Sequence, residues 1–344
     1  MSSFINKIGI HAPIVQAGMA GGITTPDLVA SVSNAGGLGT IGAGYMSDKT
    51  LQEEIQKTRQ LTEQPFAVNV FAANLESFYA DVAPMQQLLN QYRSELGIDA
   101  GANTIKVHDH LHEKINVILE ENISVVSTAF GVLSYVLIDR LKANNVTLIG
   151  MATNLEEARQ LEEAGYDAIV AQGMEAGGHR STFNTEKFPD GCQIGLHVLV
   201  QELLEYTELP VIAAGGIHTK SQADALFAMG ASAVQLGTRF LLAEEAGTNP
   251  AYRRALMKAE TNDTVITKVF SGRPARAIRN RFVDEVETSG IAPLPFPVQN
   301  QMTKDIRAAG KDFAMAEMQS LWAGQGVGFI ETEEKAAAIV SSFM

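Results

Sequence analysis

The chain is poor in cysteine, in tryptophan and in positive charge. One cysteine, Cys192, and one tryptophan stand among 344 residues. That excludes an internal disulfide and a cysteine-built zinc cluster, and it suits a reducing compartment. Lysine and arginine number 26 against 39 aspartates and glutamates, a formal charge of −13. Such a balance gives no general attraction for nucleic acid or an anionic membrane, and no basic run or RNA-type aromatic motif offsets it. No stretch approaches the roughly 18 apolar residues of a membrane span. The opening MSSFINKIGIHAPIVQ lacks the long apolar core of a signal peptide. These absences lead us to expect a cytoplasmic protein with no nucleic-acid and no membrane partner; a homo-oligomer is compatible with the same composition.

What is present is apolar. Hydrophobic residues make up 46% of the chain and charged residues 19%, enough for a large core and too little polarity for global disorder. Eight short apolar runs recur: PIVQAGM (13–19), GLGTIGA (37–43), FAVNVFA (66–72), VVSTAFG (125–131), VTLIGMA (146–152), AIVAQG (168–173), PVIAAGG (210–216) and AVQLGTRF (233–240). They are short for helices and do not alternate, as expected of strands buried on both faces. Between most of them lie segments with helical spacing, among them TPDLVASVSNAG, NLEEARQLEEAG, LHVLVQELLEYT and SQADALFAMGA. Thr24 or Thr25 before Pro26, and Asn154 three residues before Glu157, are start signals; Gly165 and Gly230 are stop signals. EARQLEEAGYDAIVAQG (157–173) and QADALFAMGASAVQLGT (222–238) align without gaps as helix, glycine turn and strand.

Eightfold alternation predicts an α/β (β/α)8 TIM barrel, with a doubly wound sheet as the alternative. The expected division is a barrel over residues 1–243 carrying an insertion at 73–121, a substrate or cap domain at 244–310, and a segment at 311–344 that returns to the barrel. Both inserted stretches belong where β-to-α loops emerge or beside the barrel, a usual place for a cap.

In such a barrel the strand ends carry function. Strands seven and eight end in AAGGI and QLGTRF, which puts Gly215, Gly216, Gly237 and Thr238 at the usual phosphate site, where backbone amides must approach closely. Asn69 and Gln172 are amides on otherwise apolar strands; a buried unpaired amide costs about 1–3 kcal/mol, so each needs a partner, either backbone or ligand. A cavity lined by small residues, flanked by amides and ending in a phosphate site has the outline of flavin mononucleotide or a sugar phosphate. QGMEAGGHRSTF (172–183) then presents His179 beside that cavity. As neutral imidazole it could take a proton from a C–H; as imidazolium it could hold an anion. Glu175 either orients it or faces water, and Arg180 reads as structural or anion-holding. HDHLHE (108–113) places His108 and His112 at i, i+4 spacing, but its flanks are polar with Lys106 and Lys114 close by, so we expect a solvated segment and no metal centre. Cys192 has no companion base in sequence.

On PIVQAGMAGGITTPDLVASVSNAGGLGTIGAG, QGMEAGGHRSTF, AAGGI, VQLGTRFL, FSGRPARAIRN and LWAGQGVG, the chain resembles the FMN-dependent nitronate monooxygenases, formerly called 2-nitropropane dioxygenases. The resemblance runs over nearly the whole chain. It implies an FMN-binding barrel with a smaller substrate domain, and contact with FMN by Asn69, Gln172, Gly177, Gly178, Gly215, Gly216, Gln235, Leu236, Gly237 and Thr238. His179 matches the family's active-site histidine. Two departures are Ser181, where the family pattern has glycine, and QAGM in place of APM. The implied reaction is oxidation of an alkyl nitronate, such as propionate 3-nitronate, by O2 to a carbonyl compound and nitrite, with the flavin carrying the redox chemistry. The resemblance implies that His179 helps hold the nitronate and acts as base toward a neutral nitroalkane. An FMN-dependent enoyl-acyl-carrier-protein reductase, which also carries EAGGH, and an NAD(P)H:quinone reductase are the alternatives on this scaffold. A flavin-free barrel binding a phosphorylated metabolite is a more distant one.

Overall fold

Short runs of Val, Ile and Ala without a polar face satisfy their backbones best between neighbours, with both faces covered. In the computed structural model, which describes residues 3–73, 77–79, 81–108 and 110–344, all eight runs are parallel strands of one sheet. They are β1 (Ile14–Gln16), β2 (Gly39–Gly42), β3 (Phe66–Phe71), β4 (Val125–Ala129), β5 (Thr147–Ala152), β6 (Ala168–Gln172), β7 (Val211–Ala214) and β8 (Ala233–Leu236). Their order is β1-β8-β7-β6-β5-β4-β3-β2. A bridge from Val15 to Leu38 brings β2 back to β1. There Leu38 N donates to Ile14 O and Gln16 N to Leu38 O, each at 2.9 Å. The sheet is thus the expected (β/α)8 barrel with one thin seam, not an open doubly wound sheet.

Each strand is followed by a helix on the outside: α1 (Pro26–Asn34), α2 (Asp48–Leu61), α3 (Leu111–Glu120), α4 (Tyr135–Ala143), α5 (Leu155–Glu163), α6 (Leu196–Tyr206), α7 (Lys220–Met229) and α8 (Ala336–Ser341). Local sequence explains their starts. Thr25, not Thr24, caps α1 by accepting from Leu28 N, with Pro26 in the first turn. Asn154 caps α5 by accepting from Glu157 N. Thr219 and Gln222 form a reciprocal capping box on α7, which ends at Gly230 in the left-handed region (φ 118) where a Cβ would be strained. The long segment between β3 and β4 is only partly an insertion. Residues 111–120 within it are the barrel's third helix, because Ile115, Val117 and Ile118 belong to the core between strands and helices. The C-terminal α8 packs on α1 and supplies the eighth helix.

A second apolar core lies outside the barrel. Met85, Leu89 and Tyr92 from the insertion share it with Phe270, Phe282, Val286, Met302 and Ile306 from the segment after β8. The link to the barrel is a small antiparallel sheet. Gly178–His179 pairs with Ala275–Ile278, which pairs with Thr264–Thr267. Residue 179, just beyond β6, is therefore bonded to a segment about 100 residues later in the chain, and this fixes its place.

Candidate active site

The starting point is the glycines at the strand ends. Gly215 (φ 132) and Gly216 (φ 67) follow β7 in conformations that L side chains rarely adopt. With Gly237, Thr238 and Arg239 after β8 they line one end of a cleft at the C-terminal face of the barrel. The cleft contains about 1140 Å³ of free space, part of it open solvent at its mouth. Its walls carry small or thin side chains: Ala17, Gly18, Ala20, Ala129, Met151 and Ala214. Of the residues expected to contact a cofactor, Gln172, Gly177, Gly178, Gly215, Gly216, Gln235, Leu236, Gly237 and Thr238 line it. Asn69 stands behind Gly18: a Cβ on Gly18 would lie 2.6 Å from Asn69 Cβ. Asn69 Nδ2 donates to Ser127 Oγ at 2.9 Å, so part of its demand is met inside the barrel.

Two of these residues do other work as well. The Gln172 amide folds the loop that follows it: Nε2 donates to His179 O at 3.0 Å and Oε1 accepts from Ser181 N at 2.8 Å. At Gly177 a Cβ would fall 2.3 Å from Gly324 N, so glycine here admits the backbone of the late GQG segment. Gly324 N in turn donates to Thr238 Oγ1 at 2.9 Å, and Gly326 reaches the cleft. Glu175 does not orient His179; it is half-buried and serves a backbone amide instead. Both its oxygens accept from Leu196 N at 3.0 Å, at the start of α6. Arg180 is structural, since its guanidinium is buried and donates to Gly173 O, Gln172 O and Cys192 O. The Cys192 thiol is buried and its pKa is raised by that burial and by Glu157, the opposite of an activated nucleophile.

The cleft's phosphate-type end carries one unsatisfied donor. Arg239 is 8% exposed and pairs with Glu334, while its Nε is buried with no hydrogen-bond partner among the described residues. An unmade buried bond is costly, and a ligand phosphate is the acceptor that would meet it. His218, beside it, stacks on Phe329 with centroids 5.6 Å apart. Burial, then Arg239, pushes His218 down to about 4, so it is uncharged near neutrality. The donor set, the glycine loops and the thin-walled cleft all fit a flavin mononucleotide.

At the other end stands His179, in an aromatic enclosure. Ring centroids lie 5.1 Å away for Trp322, 5.7 Å for Phe296 and 5.8 Å for Phe130. His179 Nε2 lies 2.8 Å from Ser271 Oγ. Burial first, then the guanidiniums of Arg273 and Arg307, push the imidazole down to about 3, which makes it neutral across the physiological range. Arg273 lies over the Phe130 ring at 4.0 Å and donates to Arg180 O and Thr182 O. Arg307 donates to Thr303 O and to the carbonyls of Asn300. Burial lowers Arg273 to about 10, which leaves it charged near neutrality, and lowers Arg307 too. Among the described residues neither guanidinium forms an ion pair with a carboxylate.

Sequence reasoning did not assign Phe130, Ser271, Arg273, Phe296, Arg307 or Trp322. Ser271 and Arg273 lie inside FSGRPARAIRN and Trp322 inside LWAGQGVG, so a motif signal existed without a role attached. HDHLHE does fold together, though not as His108 with His112. Ligand atoms of His108, His110 and Glu113 fall within 4.8 Å of one another on exposed or half-exposed side chains. His108 Nε2 lies 3.7 Å from Glu113 Oε1, an ion-pair distance.

Comparison with known proteins agrees over the full length. The family model described as nitronate monooxygenase matches residues 2–344. A probable nitronate monooxygenase of Staphylococcus haemolyticus (strain JCSC1435) is 41% identical over 321 residues, covering 93% of this chain and 89% of that protein. One from Staphylococcus aureus (strain MSSA476) is 41% identical over 341 residues, covering 98% and 94%. Among solved structures, the nitroalkane oxidase of Streptomyces ansochromogenes superposes with a TM-score of 0.91 at 37% identity, over 99% of this chain and 96% of that one. FabK of Thermotoga maritima superposes at 0.77 with 31% identity, over 100% and 94%. No helix among the described residues is long and apolar enough to cross a membrane.

Proposed function

The chain belongs to the nitronate monooxygenase family, and from that premise we propose how its cleft serves the oxidation of alkyl nitronates by O2. The cofactor would be FMN: the loops at Gly215–Gly216 and Gly237–Thr238 and Arg239 Nε would hold its phosphate, and Gly18, Ala129 and Met151 line the thin-walled part of the cleft left for a flat ring. When bound, the flavin supplies the redox chemistry that opens the nitronate to oxygen. The insertion and the 244–310 segment, which share one core, make a single cap over the barrel face.

The observation that carries this reading is His179 at the cleft wall, ringed by Trp322, Phe296 and Phe130, with Arg273 and Arg307 near enough to disfavour its protonation and, among the described residues, without carboxylate partners. A nitronate is an anion, and Arg273 and Arg307 supply the charge that draws it in. His179 does not hold it by charge. Ser271 Oγ has one proton and three polar contacts: Arg273 O at 3.1 Å, Arg273 N at 3.3 Å and His179 Nε2 at 2.8 Å. All three are satisfied when Oγ donates to Arg273 O and accepts from the other two. That assignment puts the imidazole proton on Nε2 and leaves Nδ1 a lone pair. Nδ1 then acts as proton acceptor toward a neutral nitroalkane, and its lowered basicity makes the pre-ionised nitronate the better substrate. Phe130, Phe296 and Trp322 set apolar rings around this end, which lowers the local dielectric and strengthens each polar contact.

The test is an anaerobic titration of the purified, flavin-loaded protein. Propionate 3-nitronate is expected to bleach the flavin absorbance rapidly and NADPH is not. Bleaching by NADPH with no response to the nitronate would instead assign the protein to the reductases that share its scaffold.

A further inference from the structure

Phe130 has φ 77, in the left-handed region, although it carries a Cβ and a ring. Such a conformation persists only where surroundings enforce it, and it clusters at functional sites. The enforcing contact is visible. Phe130 N donates to Ser181 Oγ at 3.1 Å, and Ser181 Oγ donates to Met151 O at 3.1 Å. Ser181 N donates to Gln172 Oε1 at 2.8 Å, and Gln172 Nε2 donates to His179 O at 3.0 Å. One buried serine thus joins the ends of β4, β5 and β6. A glycine there has no acceptor for the Phe130 amide.

The turned backbone swings the ring against the catalytic end of the cleft. Its centroid lies 4.5 Å from Phe71, 5.7 Å from Phe296 and 5.8 Å from His179, which it meets edge-on at 76°. Arg273 covers the ring at 4.0 Å. Phe71 and Phe130 both line the cleft. The volume beside the imidazole, where the carbon chain of a nitronate must lie, is therefore bounded by this ring.

We propose that Phe130, held in the left-handed conformation by Ser181, is the wall that restricts this enzyme to slender, unbranched nitronates, with Ser181 as its positioning residue. The proposal rests on the nitronate reading and extends it to the substrate's shape. The ring excludes branched and aryl chains by overlap. The serine keeps the Phe130 backbone from relaxing to a right-handed conformation, which would swing the ring away from this wall.

The experiment compares kcat/KM for propyl-1-nitronate and for the nitronate of phenylnitromethane on the flavin-loaded wild type, Phe130→Gly and Ser181→Ala. Glycine adopts the left-handed region freely, so Phe130→Gly removes the ring without altering the backbone's preference. The aryl-to-propyl ratio of kcat/KM is expected to rise about tenfold in Phe130→Gly, the usual scale for a pocket gaining or losing apolar volume. It should rise about threefold or more in Ser181→Ala, chiefly through a lower KM for the aryl substrate, a change that general destabilisation does not produce. Should Phe130→Gly not fold, Phe130→Asn is the second truncation, since asparagine also tolerates this region. A smaller rise, or a fall, in the phenylalanine variant overturns the wall; an unchanged ratio in Ser181→Ala overturns the positioning role. Failure of the underlying reading looks different: the wild-type flavin would then respond to neither nitronate.

Discussion

His179 should remain uncharged well below the pH at which an ordinary histidine protonates. Its ordinary value is 6.5 and its enclosure brings it down to about 3, through burial first and then Arg273 and Arg307. At pH 5.0 about 1% of folded molecules would carry the proton, against nearly all unfolded ones. The unfolded chain binds more protons in this window, so stability rises with pH between the two values. Protection is complete above about pH 7 and is lost progressively as pH falls through 6.5. Between pH 7.5 and 5.0 the linkage removes about 2 kcal/mol, and any folded value below about 4 gives the same figure, because the unfolded side dominates. His218 is also lowered and titrates in parallel, so the His179 share must be isolated by a variant. Two assays apply. Carbon–proton NMR of 13C-histidine-labelled protein, assigned with His179→Gln, should show the imidazole neutral down to pH 4.5. Urea unfolding of wild type and His179→Gln should show their stability difference moving by about 2 kcal/mol in the variant's favour from pH 7.5 to 5.0. A resonance titrating near 6.5, or a pH-independent difference, would refute the idea that desolvation by the aromatic enclosure, with Arg273 and Arg307 nearby, keeps this histidine neutral.

Two further outcomes follow from the same geometry. Replacing Arg307 with methionine keeps most of its length and removes its charge; KM for an alkyl nitronate should rise about tenfold in steady-state oxygen-uptake assays, with a smaller change in kcat, and an unchanged KM would sink its assignment as an anion-attracting group. Arg239→Leu removes the unpaired Nε at the phosphate-type loops, so FMN affinity measured by fluorescence quenching should fall about tenfold while riboflavin affinity stays level; an equal loss for both would show that the arginine acts on the loop instead of the phosphate.

Much of the fold is legible residue by residue. β6 is the run AIVAQ with no polar face, α5 begins at an asparagine that caps it, and α7 ends at Gly230, whose backbone conformation suits glycine. The departures have physical causes. Residues 111–120 read as part of an insertion because HDHLHE and two lysines surround their start, while the apolar face that seats them on β3 becomes visible only against that strand. Glu175 stands four residues before His179 in the chain, yet it serves the backbone of α6, because the loop turns it toward Leu196. Asn69 was expected to need a partner and has one in Ser127, the facing residue of the neighbouring strand. His108 and His112 stand at i, i+4 spacing in the sequence, but α3 begins at Leu111, so His108 lies before the helix and meets His110 and Glu113 instead.

By itself the sequence determined what depends on neighbours within a few positions: strand and helix periodicity, caps, glycine turns, the acidic balance, and the loop that ends in His179. Those features follow from backbone sterics and local hydrogen bonding, which act along the chain. Only the tertiary structure decided the state of that histidine. Its enclosure is built from Phe130, Ser271, Arg273, Phe296, Arg307 and Trp322, brought from separate stretches of chain. Desolvation and Coulomb forces depend on distance in space, and no spacing along the chain encodes them.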